Sequence, residues 1–390
     1  MAATAALSAT ALQETLQRLT EVGRGEHPVV TCYLKLEPRD RSRNKYQIKV
    51  KNRAKGVLEG LGSLGFRDGD HEAVERDLDR IQTFLRDPGN LPSAQGLAIF
   101  ASERQGLFET VPLPLVYRSR LIVDRAPLIR ELASIEDEFG RILAAVVDGK
   151  GARLFEVTAH GIEELPGVHS EHTRGKFHGD PGAGYGGWGE HNFNNRIREE
   201  RHRHYDQVAR ELFAVDRRRP AHAIVLAGVG KEAAAIEPFL HPYLAERLIG
   251  VAKLNPRAVT PAMVQETVLE QRQIWERAQE RLLVQELHEK AGTGWAVNGA
   301  AGTLKALSRG QVRVLLVQAD AMLPGFRCSD TGRLTLAARD CRLEGDPVPV
   351  LDVVDDAIEE ALRQSVEVNV VYDEEANESI DGMAALFRFK

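Results

Sequence analysis

Runs of apolar residues and apolar positions three and four apart alternate along this chain, and together they predict strands separated by helices. The first segment reads as a helix over Ala11–Thr20, a strand over Val29–Leu36 and a helix over Asn44–Leu61. Further helices are expected at His71–Leu85 and Leu128–Ser134, flanking strands Gly96–Ala101 and Leu107–Val111. Within Asn44–Leu61, Ile48, Val57, Leu58 and Leu61 are expected to face a core, leaving Lys45, Lys49, Lys51, Arg53 and Lys55 on the other faces.

A second unit opens near Phe139 with strand Ile142–Val147, the turn signal Asp148-Gly149 and a returning strand Ala152–Thr158. Regularity then stops: His160–His191 holds nine glycines and five histidines, and such a stretch should be mobile in isolation. Helical spacing resumes at Phe193, with Ile197, Tyr205, Val208 and Leu212 on one face and Arg196, Arg198, Arg201, Arg203 and Arg210 elsewhere. Strand Ala223–Ala227, helix Glu232–Glu246, strand Leu248–Leu254 and a long helix from Thr260-Pro261 to Lys290 follow. The last unit reads helix Ala300–Ser308, strand Val312–Val317, a polar insert, strand Val348–Val353, helix Asp355–Gln364, an alternating strand at Val366, Val368 and Val370, and strand Met383–Phe389. The fold class expected is α/β, with three domains at 1–135, 136–277 and 278–390, each a mixed sheet with helices.

A length of 390 residues suits two or three cores, and 43% apolar residues excludes disorder as a description of the whole. No apolar run approaches a membrane span. The first residues lack a basic n-region, and three scattered cysteines (Cys32, Cys328, Cys341) suit reduced thiols, so a cytoplasmic address without disulfides is expected. The net charge of −6 conceals an asymmetry: residues 39–55 carry +7 and residues 339–390 carry −9. Different partners are expected at the two ends.

Several motifs fail on spacing. Gly228-Val229-Gly230-Lys231 follows a strand but lacks the earlier glycine and the Ser or Thr of a phosphate loop. His202 and His204 are about 200 degrees apart on a helix and cannot share a metal ion. Cys328 and Cys341 resemble two halves of a zinc ribbon, each without its second ligand, and two thiolates do not fill a tetrahedron. No metal and no cofactor is expected.

The strongest constellation is Tyr185-Gly186-Gly187-Trp188-Gly189-Glu190-His191-Asn192-Phe193 running into the arginine-rich helix. Glycine permits close backbone approach and the cations offset phosphate repulsion, so a loop over 182–192 could enter a phosphate-lined cavity. In order and spacing, Gly186-Gly187-Trp188, Phe193, Arg201-His202 and Val208-Ala209 resemble the Gly-Gly-Gln loop and following helix of the archaeo-eukaryotic peptide release factors and their Pelota relatives. The segments 223–228, 295–317 and 380–389 are similar to the later parts of the same family, including its Pelota-like, ribosomal-protein-like C-terminal α/β sandwich.

The resemblance implies a three-domain, release-factor-like protein of the bacterial branch that includes Balon-type hibernation factors. It implies occupancy of the ribosomal A site, with residues 1–135 at the decoding centre, and a translational GTPase such as elongation factor Tu as partner. Off the ribosome a monomer is expected, with no membrane association. Where the family carries its glutamine this chain has Trp188, a donor-only indole, so peptidyl-tRNA hydrolysis is not expected. Only Ile48-Lys49 of Gln47-Ile48-Lys49-Val50 matches the family's Asn-Ile-Lys-Ser decoding motif. Expected contacts to rRNA are Gly186, Gly187, Trp188, His191, Asn192, Arg196 and Arg201 at the peptidyl-transferase end, and Lys45, Lys49, Lys51 and Arg53 at the decoding end. A factor that hydrolyses peptidyl-tRNA through its loop backbone is the alternative.

Overall fold

The structure, a computed structural model, describes residues 9–22, 27–42, 44–63, 68–92, 94–114, 116, 118–129, 132, 139–169 and 186–390. The chain divides into two compact units, one built from residues 1–135 with 276–390 and the other from 136–275. Each is a mixed α/β assembly.

In the first unit, β1 (Val29–Lys35) is the buried centre of an antiparallel sheet, between β2 (Gly96–Ser102) and β4 (Arg120–Asp124), with β3 (Leu107–Leu113) outside β2. Strand alternation divides the core in two. Val30, Cys32 and Leu34 meet Tyr46, Val50, Val57, Leu78 and Ile81, while Tyr33 and Phe100 face Leu19, Val111 and Leu132 on the other side. The two cationic-to-acidic helices that close the first of these cores are α3 (Lys45–Gly60) and α4 (Asp68–Arg86), preceded by α1 (Ala9–Val22) and the short α2 (Pro38–Ser42). The helix expected over 128–134 lies largely outside the described residues.

The second unit is a five-stranded sheet in the order β7-β6-β5-β8-β9: β5 (Ile142–Val147), β6 (Gly151–Thr158), β7 (Gly161–His169), β8 (Ala223–Gly228) and β9 (Leu248–Lys253). β5, β8 and β9 run parallel, and β6 and β7 return antiparallel. The Asp148 carboxylate fixes the β5–β6 turn by accepting N–H bonds from Lys150 (2.8 Å) and Gly151 (2.9 Å). Helix α5 (Gly186–Arg218) lays Tyr205, Val208, Ala209 and Leu212 on Leu143, Ala145, Leu154 and Leu226. A Cβ at Gly228 would lie 2.6 Å from the Val147 carbonyl oxygen and 3.2 Å from the Ala233 nitrogen, both backbone atoms that cannot swing aside. Gly228→Ala is expected to cost about 1–3 kcal/mol, measured as a lowered urea midpoint.

The remainder of the first unit carries the sheet β10-β16-β11-β15: β10 (Ala296–Asn298), β11 (Val312–Gln318), β15 (Glu367–Val371) and β16 (Met383–Phe387). Helix α7 (Pro261–Ala291), in which the unit boundary falls, packs Val284 and Leu287 on one face of this sheet. Helices α8 (Ala300–Ser308) and α9 (Val353–Arg363) cover the other face.

Five expectations change. The strands β4 and β7 depart from the expected elements, because half-buried Arg120 and exposed Glu163 dilute their apolar pattern. Helix α5 starts at Gly186 rather than Phe193, so Gly186-Gly187-Trp188 opens a helix. The helix expected over Glu232–Glu246 is a 3-10 segment, Ala234–Phe239, and a single turn α6, Pro242–Ala245, since Pro238 and Pro242 interrupt the backbone bonding. In α3 the buried stripe is Tyr46, Val50, Arg53, Ala54 and Val57, leaving Ile48 and Leu58 exposed.

The fifth correction concerns the thiols. Cys328 and Cys341 form a disulfide (Cα–Cα 5.2 Å), because the polar insert folds back as a small sheet of β12 (Gly325–Cys328), β13 (Leu334–Thr335) and β14 (Pro347–Val350) that brings them together. Counting cysteines could not show this fold-back. Cys32 remains a free, buried thiol, and burial pushes its pKa up to about 12, which makes it inert.

Candidate nucleic-acid interface

The cationic surface of the second unit is built on α5. Its core stripe at Tyr205, Val208 and Leu212 fixes the rotation of the helix, and Arg196, Arg198, Arg201, Arg203 and Arg210, off that stripe, are exposed. Arg196, Arg203 and Arg210, seven residues apart, are each paired within the helix, to Glu200 (3.1 Å), Glu199 (3.6 Å) and Asp206 (2.7 Å). The last two are exposed pairs of the kind that contributes roughly 0.3–0.5 kcal/mol, so a phosphate can displace their acids at little cost. Arg198 and Arg201 are exposed, and no acid partner is seen for either among the described residues.

The two neighbouring histidines behave differently. His202 is exposed and meets the edge of the Phe239 ring, whereas His204 is buried with Nε2 3.0 Å from the Asp148 carbonyl oxygen. Tyr205 donates its hydroxyl proton to Glu232; burial, reinforced by that carboxylate, pushes the phenol far above its usual range. Glu232 is thereby tied inward, a role no sequence pattern signals.

Of the seven residues expected at this end, Gly186, Gly187, Trp188, His191 and Asn192 lie in the first two turns of α5, Arg196 lies in its third turn and Arg201 follows on its exposed surface. The side chains of 186–194 and all of residues 170–185, with the first part of the expected loop, lie outside the described residues.

The expected cations of α3 divide in two. Lys51 is exposed and Lys45 half-buried, and neither shows an acid partner among the described residues. Lys49 and Arg53 both do, which corrects the reading of a uniformly cationic helix face. Lys49 Nζ lies 3.3 Å from Asp40 and 3.1 Å from Asp320. Arg53 is 7% exposed, with Nη1 3.8 Å from Asp352. Its pKa is lowered, chiefly by burial and then by the neighbouring Arg118. The reason is the helix register: Arg53 sits in the buried stripe beside Ala54.

Sequence reasoning missed the centre of this cluster. Arg118, buried, donates to the carboxylates of Asp352 (3.1 Å) and Asp355 and to the Ala321 carbonyl. Its partners lie more than 200 residues away in the chain, and no local pattern announces such a pairing. A few residues off, Arg277 bridges Glu37 (2.8 Å) and Glu280, and Lys35 lies over the Tyr372 ring at 3.5 Å.

A parallel-centred sheet covered by a long arginine-bearing helix, with a Gly-Gly-Trp start, defines an α/β module suited to polyanion contact. Residues 127–273, nearly the whole of the second unit, match bacterial archaeo-eukaryotic release factor family 10. The match covers 127–273 alone, and over this segment the chain is similar to the bacterial relatives of archaeo-eukaryotic release factors. Among solved structures the chain is similar to an archaeal translation termination factor, aRF1 (16% identity, 100% of each chain, TM-score 0.26). It is also similar to Archaeoglobus fulgidus Pelota (15% identity, 76% of this chain and 79% of that one, TM-score 0.38). A ribosome-bound archaeal Pelota with ABCE1 is similar at 16% identity over 98% and 96% of the chains, with a TM-score of 0.41. No curated protein matches the chain at a significant level.

Proposed function

We propose that this chain is a ribosome-binding translation factor that occupies the A site of idle or stalled ribosomes without cleaving peptidyl-tRNA. One observation carries the reading: the segment that matches the release-factor family holds Gly186-Gly187 at the head of a cationic helix, with Trp188 following. An indole can stack on a base, but it has no carboxamide oxygen with which to place water. Binding is therefore retained and ester hydrolysis lost. Arg196, Arg198 and Arg201 supply the phosphate contacts of this end, and Lys45 and Lys51 those of the decoding end. The address is the cytoplasm, the partner a translational GTPase such as elongation factor Tu, and the outcome hibernation or rescue.

The test has two arms. The purified chain should pellet with ribosomes at moderate salt, and Arg198→Ala/Arg201→Ala should weaken pelleting about tenfold, since each lost phosphate contact removes part of a salt-dependent affinity. On ribosomes loaded with peptidyl-tRNA, no peptide should be released. Failure to pellet rejects the reading, and release that is abolished by Gly187→Pro replaces it with a hydrolytic factor.

A further inference from the structure

The strand pairing of the second unit sets the carboxyl ends of β5, β8 and β9 side by side, with Val147 opposite Gly228 and Gly228 opposite Lys253. Each strand leads into a cation. Lys150 lies in the turn after β5, Lys231 follows β8, and Lys253 and Arg257 end and follow β9; all four are exposed. From α5, Arg201 reaches the same edge, where it joins Lys150 and Arg257 around a cleft of about 270 Å³ whose other walls include Ile197, Asp148 and Glu200.

The acids at this edge are already engaged. Asp148 Oδ1 accepts the two turn N–H groups, Glu200 accepts from Arg196 Nε at 3.1 Å, and Glu232 accepts from Tyr205. Among the described residues the ion pair made by these cations is that of Arg257, with Nε 4.0 Å from Asp148 Oδ2, and its side chain is 79% exposed. Lys150, Arg201, Lys231 and Lys253 show no acid partner among the described residues. The negative groups thus serve the fold and the positive ones face outward, an arrangement that leaves a net positive potential at one sheet edge.

We infer that this edge is a phosphodiester-binding site. Lys150, Arg201 and Arg257 hold one phosphate in the cleft, and Lys231 and Lys253 hold the next along the strand. Two strand spacings of about 4.8 Å separate β5 from β9, a width that exceeds one phosphate and suits successive groups of a nucleic-acid backbone. Among the described residues no aromatic side chain lines the cleft, so the contacts these residues make read backbone charge rather than base identity. The inference deepens the ribosome reading, on which it rests for the choice of RNA, by adding a contact surface beyond the helix head.

Pelleting of the full chain with ribosomes, measured across a potassium chloride series, tests it. Lys150→Ala/Arg257→Ala should lower the slope of log affinity against log salt by about 1–2 and weaken binding about tenfold near 0.15 M. Lys305→Ala, an exposed lysine of the other unit, should change neither. Both cradle residues are exposed, so urea midpoints should stay at the parent value. A parent chain that pellets while the double variant keeps the same slope overturns the site. If the parent does not pellet at all, the ribosome reading fails on its own, and anisotropy with a labelled 12-nucleotide RNA decides the site separately. Oligonucleotide binding that the double variant loses upholds it; an RNA that does not bind, or one that binds both proteins equally, overturns it, even if inorganic phosphate perturbs the Lys150 amide.

Discussion

Arg118→Ala is expected to destabilise the first unit by about 3–5 kcal/mol, the cost of leaving buried charges without their partner. The arginine is almost wholly buried and serves Asp352, Asp355 and the Ala321 carbonyl at once, so its removal takes the nearest cation from both carboxylates, which keep the more distant Arg53 (3.8 Å) and Arg120 (4.0 Å), and leaves the carbonyl without this donor. The loss should depend on pH in a defined direction. Burial raises the Asp352 carboxyl above its ordinary range, Asp355 raises it further, and Arg118 and Arg53 pull it down. A carboxyl whose folded-state pKa exceeds its unfolded value takes up a proton more readily in the folded protein, so stability is gained as pH falls through the folded value. Without Arg118 that upward shift grows. The gap between variant and parent should be widest at neutral pH and above, and should narrow on acidification toward the ordinary aspartate value of about 3.9. Urea midpoints at pH 7.5 and 5 measure it; an equal gap at both would remove Asp352 from the explanation.

Reduction of Cys328–Cys341 is the second large effect. The cysteines are 13 residues apart, and a loop of about that length is stabilised by roughly 3 kcal/mol when closed. The structure it supports is slight: β13 has two residues and β12 and β14 four each. Full reduction should therefore speed amide exchange throughout 325–350 and open both thiols to alkylation, while β11 and β16 keep their protection. Both sulfurs belong to fully buried residues, so exposure to a small dithiol at native conditions should act slowly. Unchanged exchange in the reduced protein would mean that packing alone holds this sheet.

Much of the fold could be read directly from residue spacing. Ile142–Val147 and Ala300–Ser308 are found with the expected bounds because each is a strong apolar or periodic run between clear stop signals. Where tertiary contacts decide, local pattern misleads. Ile48 and Leu58 looked like core positions, but the i, i+4 series through Tyr46, Val50 and Ala54 is the stripe that finds a partner sheet. The same rotation carries Arg53 inward. Of the candidate site, the outward arginines of α5 were legible because its apolar stripe is regular. The cradle at the carboxyl ends of β5, β8 and β9 was not, since its cations come from four separate segments that only the sheet register brings together.

The two units also differ in how soon they can be completed during synthesis. Residues 136–275 are contiguous, so the second unit has all its strands once that stretch has emerged. The first unit joins 1–135 to 276–390. At roughly 5–20 residues per second, β1 and its neighbours wait about 10–40 s before Asp352 and Asp355 are made. Through that interval Arg53 and Arg118 have no counter-ions from the distal segment, and the nascent amino-terminal part is a cationic intermediate whose charge is quenched only when the last part of the unit arrives.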